Sequence, residues 1–151
     1  MIAIQTETFA HVREEALPLT RAHWDEVEAA LHGPETAPLD AEQYARWEAL
    51  DMLHISTLRQ DGRLAGYAAF SLCPCPHRPG VRLAALDGLY LAPGLRGGLA
   101  VLRLLRQAET ALAARGVGLI QYSSPASRPC DALYRRLGAR HTETIWHKEV
   151  R

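Results

Sequence analysis

The chain of 151 residues balances seventeen Lys and Arg against seventeen Asp and Glu, and 48% of its residues are hydrophobic. That length suits one domain, residues 1–151, able to bury roughly 68–70% of the surface its unfolded form exposes without disulfides or metals. The charge balance argues against a disordered chain and a basic nucleic-acid binder, so a site for an anion must build its positive potential locally.

The opening stretch MIAIQTETFA lacks the basic start, apolar run and small-residue cleavage site of a signal peptide. No window approaches the ~18 apolar residues of a membrane span, so a cytoplasmic location and no membrane partner are expected. Ile2, Ile4, Thr6 and Thr8 alternate at period two and predict a first strand. From Glu14 to Leu31, the apolar positions Ala16, Leu17, Leu19, Trp24 and Val27 fit a helix bent or restarted at Pro18 and ending at Gly33-Pro34. Asp40 is a candidate N-cap for a second helix through Tyr44, Trp47 and Leu50. Trp24, Tyr44 and Trp47 read as core residues, or as the lining of an acceptor cleft if they project into one.

The period then changes. Leu53 to Leu58 alternates apolar and polar residues, Asp61-Gly62 is a hairpin turn, and Leu64 to Leu72 is the returning strand. Cys73-Pro74-Cys75-Pro76-His77 offers thiols and an imidazole, but the cysteines are one residue closer than a usual zinc pair and no second pair follows. A proline-stiffened loop with no metal is the reading, and the odd count of Cys73, Cys75 and Cys130 fits reduced thiols.

Val81 to Leu91 reads as a long buried strand interrupted by Asp87 and Gly88. A loop at Ala92 to Gly98 leads into a helix over Leu99 to Arg115 with Leu102, Leu105, Ala108 and Leu112 on one face, closed by Gly116. Val117 to Ser123 predicts a strand, Ser127 to Leu137 a short helix stopped by Gly138, and Arg140 to Val150 a final strand. Strand, loop, helix and strand make a β-α-β unit with a right-handed crossover.

The loop from Pro93 to Gly98 is the strongest chemical feature. Its glycines let backbone approach a ligand, and the helix N-terminus behind it favours a phosphate or pyrophosphate. Arg96 adds a cation. The loop is neither a P-loop nor a dinucleotide fingerprint, since Gly-Lys-Ser/Thr and G-x-G-x-x-G are both missing. Standing alone, it also reads as a plain strand-to-helix turn. Asp87, after the apolar run Leu83 to Leu86, predicts either a desolvated carboxylate with a raised pKa, serving as base or amine anchor, or a structural carboxylate at a β-bulge marked by Gly88.

The run Leu89-Tyr90-Leu91-Ala92-Pro93-Gly94-Leu95-Arg96-Gly97-Gly98 with Leu104-Leu105, followed by Ala132-Leu133-Tyr134-Arg135-Arg136-Leu137-Gly138, resembles the GNAT superfamily of acyl-CoA-dependent N-acetyltransferases. It is similar in particular to the small branch found among phage and prophage proteins, over about Glu14 to Lys148. The resemblance implies an α/β (α+β) single domain. Its central mixed, mostly antiparallel twisted sheet would have about six to seven strands flanked by helices.

By the same resemblance, acetyl-CoA would be lodged where two adjacent strands splay, as co-substrate and with no metal. Its pyrophosphate would lie on Arg96, Gly97, Gly98, Leu99 and Ala100. The chain departs from the family pattern R/Q-x-x-G-x-G/A, since in the register set by Leu104-Leu105 the two glycine positions hold Leu99 and Val101. Their N–H groups remain available.

The resemblance makes Tyr134 the acid that protonates the departing thiolate, where the bare sequence allows an aromatic packing residue instead. It makes Asp87 the acidic residue facing the substrate, and Ser127, the expected N-cap of the Tyr134 helix, a contact to the CoA chain. Backbone N–H groups of Leu89 and Leu91 would orient the thioester carbonyl. His141 and Glu143 on the final strand are weaker candidates for the base, since alternation could point either toward solvent. The expected activity is acetyl transfer to a primary amine of a small molecule or peptide in a direct ternary complex. The rivals are a non-catalytic acyl-CoA-binding or phage-associated interaction protein, and a nucleic-acid binder using Arg103, Arg106 and Arg115. A homodimer through a strand edge or the final strand is also compatible with the sequence.

Overall fold

Alternation puts Leu53 and Ile55 on one face of a strand and His54, Ser56 and Leu58 on the other. The computed structural model, which describes residues 1–34 and 39–150, covers both faces. Five strands, β1 (Ile2–Thr6), β2 (Leu53–Gln60), β3 (Arg63–Pro74), β4 (Arg82–Leu91) and β5 (Val117–Gln121), form one sheet in sequential order. The first four pair antiparallel and β5 joins β4 in parallel. The β2–β3 turn has Asp61 and Gly62 at φ 50° and 82°, the two positive dihedrals that match the twist of a tight hairpin.

One face packs α1 (Phe9–His23) and α3 (Ala41–Ala49) over Leu53, Ile55, Leu64 and Ala69. The other packs α4 (Ala100–Ala114), through Leu104, Leu105, Ala108 and Leu112, over Leu58, Ala68, Phe70, Leu72 and Ala84. α4 connects the parallel pair β4 and β5, which is the β-α-β unit, and Gly116 follows it at φ +80°. Asp40 caps α3 by accepting from Gln43 N–H at 3.0 Å.

Several expectations need correction. The first helix starts at Phe9, because Thr8 caps it by accepting from His11 N–H, and it continues through Pro18 without restarting. Its irregularity comes later, as a π-helical turn at Trp24–Glu28 that leads into α2 (Ala29–His32). The helix before Gly138 is α5 (Asp131–Arg136), shorter than expected. Its N-cap position is Cys130 rather than Ser127, which lies in the preceding turn. Among the described residues, Arg140 to Val150 form no strand, so the sheet has five strands rather than six or seven. Ile145 and Trp146, the large apolar residues of the segment, are 69% and 88% exposed, so the segment buries no apolar face that would hold it on the sheet. No helix among the described residues is long and apolar enough to cross a membrane.

Candidate active site

The register of β3 on β4 moves from Ala69 opposite Gly88 to Phe70 opposite Leu86, which leaves Asp87 as the extra residue of a β-bulge. The bulge turns Asp87 and Gly88 toward the α1 face. Gly88 packs closely there: a Cβ would sit 3.3 Å from Tyr67 Cε2, a tight contact, and 3.6 Å from His23 Cε1. Asp87 is exposed rather than desolvated, so the burial expected from its apolar neighbours in sequence is not present. The Tyr44 hydroxyl donates to its Oδ2.

Beside the bulge the sheet opens. The β4–β5 pairing runs from Arg82 opposite Val117 to Ala85 opposite Gln121 and ends there. Beyond it, the Ser123 hydroxyl still reaches the Leu86 carbonyl at 3.4 Å. Leu89 and Leu91 pair with Ala68 and Gly66 of β3 and lie on the part of β4 that has left β5. The loop after β4 contains a short 3₁₀ turn, Pro93–Leu95, and Gly97 at φ +79°. Leu99 precedes α4 and no side chain caps the helix. The first-turn N–H groups of α4 therefore have no intrahelical acceptor and no side-chain cap, as an anion site requires. A Cβ added at Gly97 or Gly98 would meet nothing, and Leu99 is 59% exposed, so the loop is open to a ligand despite its departure from the glycine pattern.

Arg96 behaves differently from a free cation. Its Nε donates to the Leu91 carbonyl at 2.8 Å, its other end pairs with Glu26 at 2.8 Å, and the guanidinium lies 5.0 Å from the centre of the Tyr90 ring. Glu26 also accepts from Tyr90 and pairs with Arg128 at 3.0 Å. Ser127 donates to the Val27 carbonyl at 2.7 Å. The π-helical turn is thus tied to both loops that flank the opening. Burial would raise the Glu26 carboxyl, but the hydrogen bonds from Tyr90 and Arg96 hold it below its ordinary value.

Tyr134 is buried beneath the far side of the opening. Its hydroxyl donates to the Ser123 carbonyl at 2.6 Å and its ring stacks on Tyr122 at 4.8 Å. Burial, with Cys130 and Asp131 nearby, pushes the phenol well above its ordinary value of 10, so it stays protonated. His141 and Glu143 are exposed, and Glu143 contacts Gln121 at 3.5 Å; neither lines the cavity described next.

On the α1 face, a cavity of about 500 Å³ lies between the helices and the sheet and reaches the bulge. Phe9, Trp24, Tyr44 and Tyr67 contribute aromatic walls, and Glu28, Asp40 and Asp87 are its acidic groups. Trp47 packs behind Tyr44, with ring centroids 5.3 Å apart. His23 backs the bulge. Burial pushes its imidazole below the ordinary 6.5, against the opposing pull of Glu28, Asp87 and Glu26, so the neutral ring is favoured. Glu28 lies 3.8 Å from Nε2, which favours the hydrogen there and leaves Nδ1 to accept from the Tyr67 hydroxyl at 2.8 Å. His23, Glu26, Glu28 and Tyr67 were not identified from the sequence. The π turn brings them together, and no regular period signals it. Among the described residues, no group of three or more His, Cys, Asp or Glu is placed to hold a metal.

Residues 17–139 match the model of the acetyltransferase (GNAT) family. No curated protein is a significant match in sequence. Solved structures with the same fold include a ribosomal-protein-alanine N-acetyltransferase from Brucella melitensis biovar Abortus 2308, with 18% identity, 99% of each chain covered and a TM-score of 0.73. A predicted acetyltransferase with acetyl-CoA from Clostridium acetobutylicum is 15% identical, covering 99% of this chain and 96% of that one, with a TM-score of 0.73. Glucosamine-6-phosphate N-acetyltransferase from Arabidopsis thaliana is 12% identical, covering 99% and 98%, with a TM-score of 0.72. At these identities the likeness is one of fold.

Proposed function

The chain belongs to the acetyltransferase (GNAT) family, and from that membership and the geometry of its cleft we propose that it transfers an acetyl group from acetyl-CoA to a primary amine of a small molecule or peptide. Within the family, the helices ahead of the hairpin support a likeness to the small phage and prophage proteins. The observation that carries the reading is the position of Asp87 and Gly88, which line the cavity on the α1 face and stand on β4 just past the end of its pairing with β5.

Acetyl-CoA supplies an activated thioester, and its anionic end suits the uncapped N-terminus of α4. In this reading the N–H groups of Gly97, Gly98, Leu99 and Ala100 take the pyrophosphate. Arg96 shapes the loop through its bond to the Leu91 carbonyl and stands next to the charge. Ser127 flanks the entrance. Backbone N–H groups of Leu89 and Leu91 face the thioester oxygen, where negative charge develops as the amine attacks.

The ammonium anchored at Asp87 first gives one proton to solvent; as the C–N bond forms, Asp87 accepts the second and then passes it to solvent. Tyr134 gives its hydroxyl proton to the departing thiolate and is reprotonated from solvent, so the products are an amide and a free thiol. A new C–N bond replaces the C–S bond directly, with no acyl-enzyme.

The test is release of free thiol from acetyl-CoA in the presence of a panel of primary amines, with binding read separately from the melting temperature. At ~100 times the dissociation constant, a ligand adds ~2.7 kcal/mol of stability. Amine-dependent thiol release is expected. Acetyl-CoA binding without release from any amine would favour the second reading, a non-catalytic acyl-CoA-binding protein, for which the neutralisation of Arg96 by Glu26 is the supporting observation. Absence of binding would overturn both.

A further inference from the structure

The cavity floor has a direction. Strand register aligns Gly88 of β4 with Ala69 of β3, and Ala69 with Ile55 of β2, so the floor crosses two strand spacings, about 10 Å, away from the bulge. Phe9 and Val12 of α1, with Leu64 of β3, line the cavity as buried members of the same apolar cluster as Ile55 and Ala69. The near end holds Asp87, with Glu28 beside His23. Among the described residues no Lys or Arg lines the cavity.

We infer that the acceptor is a compact primary amine on an aromatic or aliphatic body, its ammonium at Asp87 and its body over Ala69 and Ile55. The inference rests on the transfer reading only in calling this ligand an acceptor.

The chemistry discriminates against the alternatives. A phosphorylated amino sugar would bring an anion toward Asp87 and Glu28 with no cation to receive it. A polyamine or aminoglycoside would place a second ammonium, or several hydroxyls, against the buried side chains of Phe9, Val12 and Ile55, and the polar lining groups Thr57 and Asp40 are already engaged, with Glu7 and with the Gln43 N–H. A single ammonium with an apolar body satisfies both ends. A cavity of about 500 Å³ is within the range that encloses small ligands.

The experiment is calorimetric titration of the 151-residue chain, without acetyl-CoA, using phenethylamine, ethylamine, phenylacetate, spermidine and glucosamine 6-phosphate. Thiol release from acetyl-CoA is measured with the same compounds. Phenethylamine is expected to bind at least tenfold more tightly than each of the others, and Asp87→Asn, whose amide oxygen can still accept from Tyr44, to weaken it at least tenfold in a protein that remains folded. The ethylamine comparison tests the apolar end without any variant. Equal or tighter binding of spermidine or the phosphorylated sugar, or no binding of phenethylamine, would overturn the assignment. Selective phenethylamine binding without thiol release would leave the ligand class intact and sink the transfer. Release confined to polar amines would do the reverse.

Discussion

The Tyr44 hydroxyl donates to the Asp87 carboxylate, so α3 reaches across the cavity to hold the side chain that the β4 bulge presents. Burial and the Asp87 charge push the Tyr44 phenol far above its ordinary value of 10, which keeps it a donor at any working pH. The Tyr44 ring is fixed by stacking on Phe9 at 5.4 Å and by the edge of Trp47. One Asp87 oxygen is thereby occupied, and the other remains to meet an amine.

That arrangement predicts unequal losses. Asp87→Asn should lower kcat/KM for the amine by about 10²–10⁴, the usual contribution of a positioned proton acceptor. Tyr44→Phe removes only the hydrogen bond to a charged group, about 1.5–3 kcal/mol, and should cost roughly ten- to a hundredfold. Steady-state thiol release measures both, and an Asp87→Asn enzyme with full activity would remove Asp87 from the chemistry.

Tyr134→Phe should separate kcat from KM. Without the phenol the thiolate leaves unprotonated, so kcat should fall by about 10²–10⁴ while KM for acetyl-CoA stays within about twofold. The Ser123 carbonyl also loses its donor, which should destabilise the fold by about 1–3 kcal/mol. Urea unfolding distinguishes that structural cost from the kinetic one. A variant that is destabilised but fully active would make Tyr134 a packing residue.

Features set by local rules were readable in the sequence. Asp61-Gly62 demanded a tight turn, Asp87-Gly88 interrupted an apolar strand where a bulge occurs, and Gly116 closed α4. The site as a whole was less readable. His23 and Glu28 are five residues apart, about 140° around a regular helix, and come to one side only because the turn between them is π-helical. Arg96 carried the expected charge at the expected loop, but its partner Glu26 lies seventy residues earlier, and no local pattern encodes that pairing. Ser127 looked like a helix cap because it is a small polar residue before an apolar run, yet its hydroxyl is taken by Val27.

Glu26 joins Arg96 and Arg128 across the mouth of the β4–β5 opening, where it competes with any anion for both guanidinium groups. Glu26→Gln keeps hydrogen-bonding capacity but removes the charge. Acetyl-CoA should bind about tenfold more tightly to this variant at low salt, and the gain should shrink as ionic strength rises, since exposed charges are screened within about 10 Å at 0.1 M. Calorimetric titration at two salt concentrations checks it. Weaker binding would mean that Glu26 serves to order the loops rather than to oppose the ligand.

The stability of the α1 face depends on a second cluster, away from the cleft. Arg59 pairs with Glu7 through Nε at 2.9 Å and with Glu15 at 2.9 Å, and donates to the Gly62 carbonyl at 2.9 Å. Burial would raise the Glu7 carboxyl, but the Arg59 and Thr57 hydrogen bonds outweigh it and bring it down to about 2 from the ordinary 4.5. The folded state therefore binds fewer protons than the unfolded state between these values. The contribution of Glu7 is fully present above pH 4.5 and is lost as the pH falls toward 2. Arg59→Leu leaves the Glu7 side chain, 6% exposed, without its cation and should cost about 3–5 kcal/mol at pH 7. At pH 3 the penalty should be smaller, because part of the wild-type advantage has already gone. Urea unfolding of both proteins at the two pH values tests this, and an equal penalty at both would show that Arg59 stabilises by packing rather than by charge.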